Sequence, residues 1–198
     1  MVRRQLLTGL LMTVALTVLL GLIFPLVVTG VSQVAFHDDA NGSLVKDKAG
    51  TVVGSSLIGQ SFVDADGKAI PKYFQPRPSA AGTGYDPKAS GASNLGPSNP
   101  TLLDDVAQRV ADYRTLNGLG ADQVVPVDAV TASGSGLDPG ITVANARLQA
   151  PRVAKARGLS DDLVLQAIDA HTQDPQWGFL GERWVNVVTL NVALDNAS

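Results

Sequence analysis

Few side chains in this sequence are of types that carry out catalysis. Histidine occurs only as His37 and His171, and cysteine does not occur, so thiolate chemistry and cysteine-bound metals are excluded. Without paired histidines, a structural or catalytic zinc site is not expected either. We predict that His37 lies at the edge of a membrane segment and that His171 caps the carbonyl groups at a helix end.

The turn-rich strings also lack the spacing that known reaction centres need. In Ser133-Gly134-Ser135-Gly136, neither serine has glycine at both flanking positions of a nucleophile elbow, and the third glycine of a dinucleotide loop is missing. The string from Asp64 to Gly67 is superficially like a calcium loop, but Lys68 and Ala69 occupy positions needed for ligands and the central glycine. The residues therefore predict a plain turn there, no catalytic residue, no metal ligand and no assigned cofactor site.

An apolar run from Leu6 to Val28 determines where the rest of the chain can act. No charged side chain lies between Arg4 and Asp38. At about 1.5 Å per residue, this run is long enough to cross a hydrocarbon core of about 30 Å as one helix. The anchor residues that we single out are Leu6, Leu10, Val14, Leu20, Ile23 and Val28. A cleaved signal peptide is the alternative, but its apolar core is usually about 7–15 residues long.

The flanking charges predict the orientation of this helix. Arg3 and Arg4 precede it, whereas Asp38 and Asp39 are the first charges after it, so residues 1–5 are expected in the cytoplasm. Residues 36–198 are then expected outside the cell membrane, with 13 basic against 18 acidic residues, a formal charge of −5. Nucleic acid is excluded as a partner by this acidic balance.

The outer residues predict one soluble domain of mixed α and β structure, an α/β (α+β) fold behind a single transmembrane helix. Asn99 or Ser98 can cap a helix that ends near Gly118, and Ser160 can cap another. Pro151 is expected to kink or divide a helix from Thr142 to Arg157. We predict strands over Val52–Phe62, Val124–Thr131 and Trp184–Leu194.

Three polar strings are distinctive: Tyr73–Ala80, Ser90–Pro100 and Val130–Pro139. In this order behind one membrane helix, they make the chain resemble the C subunit of the Kdp P-type potassium-transporting ATPase. Further matches are Gly54–Gln60, Arg152–Gly158 and Val185–Asp195, so the resemblance covers essentially the whole chain. Ala92 and Gly140 depart from the family pattern. Ala92 replaces a glycine, which indicates that this position does not need a positive φ.

The resemblance implies an accessory, non-catalytic subunit of an ATP-driven potassium import complex. Its partners would be a channel-like potassium-carrying subunit, an ATP-hydrolysing P-type subunit and a small membrane peptide, so ATP and potassium act in the complex. The family's C subunit is described as a catalytic chaperone that raises ATP affinity. ATP is cytoplasmic, whereas the flanking charges place this domain outside, so we expect assembly rather than nucleotide contact.

Two interpretations apply to the polar residues of the three strings. They either dock onto the potassium-carrying subunit or order irregular backbone through side-chain hydrogen bonds. A stand-alone anchored binding or sensor domain is the alternative function, and a surface that collects potassium is a weaker one. The candidate residues are Arg77, Pro78, Ser79, Asn94, Ser98, Asn99, Thr131, Ser133, Ser135 and Asp138.

Overall fold

The structure, a computed structural model, describes residues 2–197, so Met1 and Ser198 at the ends of the predicted segments lie outside it. The chain divides into two compact units, one ending at Leu44 and the other beginning at Val45. The first unit contains the apolar helix and the second contains the mixed α and β domain. The predicted fold class, an α/β domain behind one transmembrane helix, is confirmed.

The N-terminal helix runs from Val2 to Ala35, longer than the apolar run that predicted it, and is apolar enough to cross a membrane. It consists of α1 (Val2–Val18), a π-helical segment (Leu19–Ile23) and α2 (Phe24–Ala35). In the π segment, the Phe24 N–H donates to the Leu19 carbonyl, five residues back. A π turn is wider than an α turn, and it makes room for the ring of Pro25, which has no N–H to donate.

The second unit is built from short strands and five helices within the described residues. Strand β3 (Gly140–Thr142) pairs antiparallel with β5 (Trp184–Asn186), and β5 pairs antiparallel with β4 (Thr172–Gln173), so β5 is the central strand. Strands β1 and β2 form a separate two-stranded sheet. After the single turn α3 (His37–Ala40), the elements are β1 (Leu44–Lys46), β2 (Val52–Ser55), α4 (Pro100–Asn117), α5 (Val127–Val130), β3 (Gly140–Thr142), α6 (Val143–Arg157), α7 (Asp161–Ala170), β4 (Thr172–Gln173), β5 (Trp184–Asn186) and α8 (Val187–Ala197).

Helix ends are largely where capping residues predict them. The Asn99 side chain accepts a hydrogen bond from the Thr101 N–H at 2.9 Å, and Gly118 ends α4 with a φ of +63°. Ser160 caps α7 by accepting from the Leu163 N–H. Only part of the apolar side of α4 is buried, since Tyr113 is buried but Leu103 is 55% exposed.

Helix α6 passes through Pro151 without division, so the break that was predicted as one of two outcomes does not occur. Pro151 lies on the exposed side of the helix, so its ring meets no packed neighbour. The core side of α6 carries small residues every four positions, Ala146, Ala150 and Ala154, all buried. We attribute the continuity of the helix to this burial on both sides of the proline.

The predicted strand over Trp184–Leu194 is wrong beyond Asn186, where α8 begins. Its buried residues include Val187, Leu190, Asn191 and Leu194, which follow a helical spacing. The Asn186 side chain accepts from the Thr189 N–H at 3.1 Å, as a helix cap does. The valine-rich composition led to the prediction of a strand. The segment forms a helix because one helical face is buried in the core.

Two other predicted strands are corrected. Over Val124–Thr131 the chain forms the single helical turn α5, because Pro126 immediately precedes it and the Ala129 N–H donates to the Pro126 carbonyl. The strand over Val52–Phe62 ends at Ser55. The Gly59 N–H donates to the Leu137 carbonyl, so this backbone pairs with a loop instead of a sheet.

The hydrophobic core lies between α6, α7, α8 and the three-stranded sheet. Phe74, which lies just before the irregular segment 76–99, is also fully buried in this core. The core residues are Phe74, Ile141, Ala146, Ala150, Val153, Ala154, Val164, Ile168, Val185, Val187, Leu190 and Leu194. Phe74 therefore fixes the start of the irregular segment to the core, and the candidate site follows directly after it.

Candidate functional site

The irregular segment 76–99 is held against segment 131–139, and we call the two together the interlocked loops. Arg77 joins them through three contacts, donating from Nε to the Thr131 carbonyl (3.3 Å), from Nη2 to the Ala132 carbonyl (3.4 Å) and from Nη1 to Asp138 Oδ2 (3.3 Å). The Arg77 and Asp138 side chains are 25% and 37% exposed. A planar guanidinium suits such a set of acceptors because its donors are spread over three nitrogens, whereas those of an ammonium group share one.

Ser79 forms the second link between the loops. Its hydroxyl donates to the Gly136 carbonyl at 2.6 Å and accepts from the backbone N–H of Tyr85 at 2.8 Å. The Tyr85 hydroxyl in turn donates to the Arg77 carbonyl at 2.8 Å. Burial, followed by the nearby Asp138 carboxylate, raises the pKa of the Tyr85 phenol, so this group remains a hydrogen-bond donor.

Segment 131–139 is also braced from within. The Ser133 hydroxyl accepts from the Gly136 N–H at 2.9 Å, and the Ser135 hydroxyl accepts from the Leu137 N–H at 3.1 Å. The Ser135 carbonyl accepts from the Ser90 hydroxyl and from the Gly91 N–H. Ser133 and Ser135 thus shape their own turn, and only the Ser135 backbone reaches the partner segment.

Close approach of the two loops depends on Gly136. This glycine has a φ of +69°, and a Cβ there would lie 2.8 Å from the Ala81 Cβ, the Ala81 nitrogen and the Gly91 oxygen. Any other residue would be strained and would push the segments apart. Gly136 lies inside the distinctive string Val130–Pro139, but it was not among the residues predicted to form the site.

A small open cleft of about 270 Å³ borders the interlocked loops. Arg77, Asp128 and Asp138 line it, together with Trp184 and the β3 residues. Asp138 Oδ1 accepts from the Gly140 N–H at 2.9 Å. A Cβ at Gly140 would lie 2.5 Å from the Trp184 ring, so glycine at this position lets the indole close over β3.

The remaining predicted site residues are less connected. Asn94 adopts a φ of +53° and donates to the Ala92 carbonyl, whereas Ala92 itself is not at a positive φ, as its alanine predicts. Asn99 caps α4, and the Thr131 hydroxyl donates back to the Val127 carbonyl. Ser98 is exposed and Pro78 is half-buried. Among residues 2–197, the Ser98 hydroxyl makes no hydrogen bond that joins the two loops.

A second polar network, which the sequence did not reveal, lies buried beneath the site. Asp128 accepts from the Thr142 N–H at 2.7 Å and from Asn145 Nδ2 at 3.0 Å. The Tyr113 hydroxyl donates to Asn145 Oδ1 at 2.8 Å, and Gln149 Nε2 donates to the same oxygen at 2.9 Å. Burial, followed by the charge of Asp128, raises the pKa of the Tyr113 phenol.

This buried network also holds the start of the irregular segment. Gln149 accepts from the Gln75 N–H and donates to the Gln75 carbonyl, while Asn191 does the same for Phe74. Arg152 donates to the Tyr73 and Pro71 carbonyls. Burial lowers the pKa of Arg152 to about 10, which still leaves the guanidinium charged at neutral pH. Amide side chains at core positions thus replace a strand partner for residues 73–75.

The two histidines lie away from both networks. His37 begins the single turn α3, and His171 follows α7 with Nδ1 3.1 Å from the Thr189 hydroxyl. His171 ends α7 as predicted, because its backbone N–H donates to helix carbonyls, including that of Ala167, whereas its ring contacts Thr189 instead. No group of three or more His, Cys, Asp or Glu able to hold a metal occurs among residues 2–197.

The anchor residues from Leu6 to Val28 all lie on the N-terminal helix. Leu20 and Ile23 fall in its π-helical segment. Within residues 2–35 none of the helix side chains is buried, although most are apolar. A surface of this kind is stable in lipid and not in water.

Comparison with known proteins decides the family. The family model described as "K+-transporting ATPase, c chain" matches residues 6–196. The chain belongs to the KdpC family. The potassium-transporting ATPase KdpC subunit of Mycobacterium tuberculosis (strain H37Rv) is 57% identical over 193 residues, covering 98% of both chains. The KdpC subunit of Caulobacter sp. (strain K31) is 56% identical over 179 residues, covering 90% of this chain and 87% of the relative.

Membership of the KdpC family makes this chain a subunit of a potassium-transporting ATPase complex. The resemblance based on the three polar strings is therefore confirmed. Two of those strings, Tyr73–Ala80 and Val130–Pro139, are the ones that Arg77, Ser79 and Asp138 join in space. Together with the long apolar helix, membership is consistent with a single-pass protein of a membrane-bound complex.

Proposed function

We propose that this KdpC-family chain is a non-catalytic accessory subunit that assembles and stabilises the Kdp complex through the interlocked loops. The observation that carries the proposal is the ordering of segment 76–99, which has no helix or strand, by side chains of Arg77, Ser79 and Tyr85. A long irregular segment held this firmly offers a fixed surface for a partner, because little conformational entropy remains to be lost on binding.

The partner that we propose for this surface is the channel-like potassium-carrying subunit. The P-type ATP-hydrolysing subunit and the small membrane peptide complete the assembly. We further propose that residues 1–5 lie in the cytoplasm, residues 6–28 cross the membrane, and residues 36–198 lie outside. Arg3 and Arg4 before the helix, with Asp38 and Asp39 after it, support this orientation. Protease protection in sealed membranes tests it.

The chaperone effect on ATP affinity then belongs to the assembled complex. With the domain outside the membrane, it would not touch cytoplasmic nucleotide. Any rise in ATP affinity would come from stabilising the state of the ATPase subunit that binds nucleotide well, since binding at one site can favour a state that binds better at another. Digestion of the domain after residue 36 by protease added to the cytoplasmic side would contradict this route and favour direct involvement with ATP.

Substitution of Arg77 tests the docking surface. We expect Arg77→Ala and Asp138→Ala to lower the yield of complex purified in mild detergent far more than they lower the melting temperature of the full chain. Arg147→Ala is the matched control, because Arg147 also pairs with an aspartate, Asp169, at 3.4 Å, and both side chains are more exposed. It should leave both the complex yield and the melting temperature close to their original values.

Asn145→Ala separates assembly from folding. This change lowers the stability of the domain through the buried network and leaves the interlocked loops unchanged. The complex yield of this variant therefore shows how much complex is lost when only the domain's stability falls. Full complex yield from Arg77→Ala, with only a lower melting temperature, would mean that the interlocked loops serve the fold and not the partner. Recovery of the original chain without larger subunits would instead indicate a stand-alone anchored sensor domain.

A further inference from the structure

The connection between β4 and β5 exposes a compact apolar tip. We call residues 175–181 the hairpin tip. Trp177, Phe179 and Leu180 in it are 78%, 77% and 53% exposed. The segment from Pro175 to Gly181 carries no charged side chain. Three large apolar residues at adjacent positions of one short loop are an exposed patch and not the scattered apolar residues of an ordinary surface.

The hairpin tip is ordered, although its apolar side chains are not buried. Gln176 and Leu180 exchange both backbone hydrogen bonds, at 2.9 and 3.0 Å, and the Gly178 N–H donates to the Pro175 carbonyl. Below the tip, Arg183 Nε pairs with Asp174 Oδ1 at 2.8 Å. The loop is therefore closed by backbone pairing and by an ion pair at its base.

Backbone geometry makes the tip present its aromatic rings together. Trp177 has a φ of +55°, an unfavourable conformation for a residue other than glycine, and Gly178 follows with a φ of +82°. The Trp177 and Phe179 ring centroids lie 6.4 Å apart. Among residues 2–197 the Trp177 indole N–H has no hydrogen-bond partner. Neither Trp177 nor Phe179 belongs to the core of the domain as the structure describes it.

The size of the patch is too small for a stable protein interface by itself. Aromatic side chains bury about 150–250 Å² each, so Trp177 and Phe179 together offer at most about 300–500 Å², and Leu180 adds a smaller area. A standard protein interface buries about 800 Å² on each partner. A patch of this size does suit shallow insertion into a lipid surface by a domain that is already anchored.

The chemistry of the patch and the length of the tether also favour lipid. Tryptophan is enriched at the membrane–water boundary, where its ring lies in an apolar layer and its N–H meets polar groups. The outer unit begins at Val45, ten residues after α2 ends at Ala35. Even fully extended, this connection spans at most about 35 Å, which limits how far the domain can move from the bilayer.

We propose that the hairpin tip, through Trp177, Phe179 and Leu180, inserts into the interfacial layer of the membrane that the N-terminal helix crosses. This second attachment would restrict rotation of the domain about its tether. The proposal does not depend on which side of the membrane the domain occupies, nor on the function proposed for the interlocked loops.

Tryptophan fluorescence tests the insertion directly, because Trp177 and Trp184 are the two tryptophans of the chain and the membrane helix contains none. In the Trp184→Phe variant of the full chain, Trp177 is the sole reporter. We expect its emission to shift to shorter wavelength in phosphatidylcholine vesicles and to be quenched when the lipid is brominated near the headgroup end of its chains. In the reciprocal Trp177→Phe variant, Trp184 should show neither change.

Emission of Trp177 at long wavelength, unaffected by brominated lipid, would overturn the proposal. A photoreactive benzophenone residue at position 179 provides a second measurement in the assembled complex, and it does not require substitution of Trp184. Crosslinks to lipid support insertion, and crosslinks to another subunit overturn it in favour of a protein partner. The matched control has the benzophenone residue in place of Leu103, an exposed apolar position on α4. It should not crosslink to lipid.

Discussion

The buried network under α6 and the interlocked loops are built from the same kinds of bond, but they differ in depth. In the buried network, Asn145, Gln149 and Asn191 are almost fully removed from water. In the interlocked loops, the Arg77–Asp138 pair keeps a quarter to a third of its surface exposed. Removing a buried partner leaves an unsolvated polar group, whereas water can replace a partner that is exposed. Depth therefore separates bonds that hold the fold from bonds that remain accessible to another subunit.

The largest effect is expected in the buried network, from Asn191→Ala. Its amide accepts from the Phe74 N–H at 2.9 Å and donates to the Phe74 carbonyl at 3.0 Å, and the change leaves both without a partner beside a cavity. We expect a loss of about 3–5 kcal/mol in the free energy of unfolding, measured with urea on the full chain in detergent. Asn94→Gly, at an exposed positive-φ position, should change it by less than about 0.5 kcal/mol. Similar losses from both variants would contradict the distinction by depth.

The second largest effect on stability is expected at Gly136, the glycine that allows the two interlocked loops to approach each other. Gly136→Ala places a methyl group 2.8 Å from Ala81 and Gly91 at a positive φ, so we expect a cost of about 2–4 kcal/mol. Gly134→Ala is the matched control, since a Cβ at Gly134 meets open space. Urea midpoints of the two variants provide the comparison. Equal midpoints would show that the loops can separate without cost.

The same substitution in both networks sharpens the comparison further. Tyr113→Phe removes a buried hydrogen bond to Asn145, and Tyr85→Phe removes one to the Arg77 carbonyl. We expect each to cost about 0.5–1.5 kcal/mol, with the larger loss at Tyr113. Thermal unfolding of both variants under one set of conditions measures the difference. A larger loss at Tyr85 would mean that the interlocked loops contribute more to stability than their exposure indicates.

The smallest expected effect is a pH dependence at His171. Burial lowers the pKa of His171 below its ordinary value of 6.5. At a pH above 6.5, the His171 imidazole is neutral in both the folded and the unfolded chain. As the pH falls below it, the unfolded chain takes up a proton first, so stability decreases. His171→Gln should reduce the fall in melting temperature between about pH 7 and about pH 5.5. An unchanged fall would assign the pH dependence to other groups.

Local signals in the sequence predicted the helices better than the strands. Asn99, Ser160 and Gly118 act within one turn of the chain, so their roles can be read directly. The run of valines after Trp184 favours a strand by composition, but packing on the core selects a helix. Contacts with residues distant in the sequence decide whether such a segment forms a helix or a strand, and a single sequence does not show those contacts.

Residues of the interlocked loops could be singled out from the sequence, but their pairing could not be predicted. Arg77 and Asp138 were both expected to matter, yet the bond between them joins residues 61 positions apart. Tyr85 and Gly136 were missed because tyrosine and glycine are common in loops and nothing local distinguishes them. Asn145, Gln149 and Asn191 were missed since an amide at a buried helical position looks like an exposed one until its partner is known.

The π-helical segment from Leu19 to Ile23 has a consequence for how the membrane helix meets its neighbours. One extra residue in a helix turns everything beyond it by about 100°. A straight neighbouring helix that packs along one face of α1 would therefore contact a different face of the helix after Ile23. The two halves of the span present separate faces, so one chain can join two different membrane helices at two depths of the bilayer.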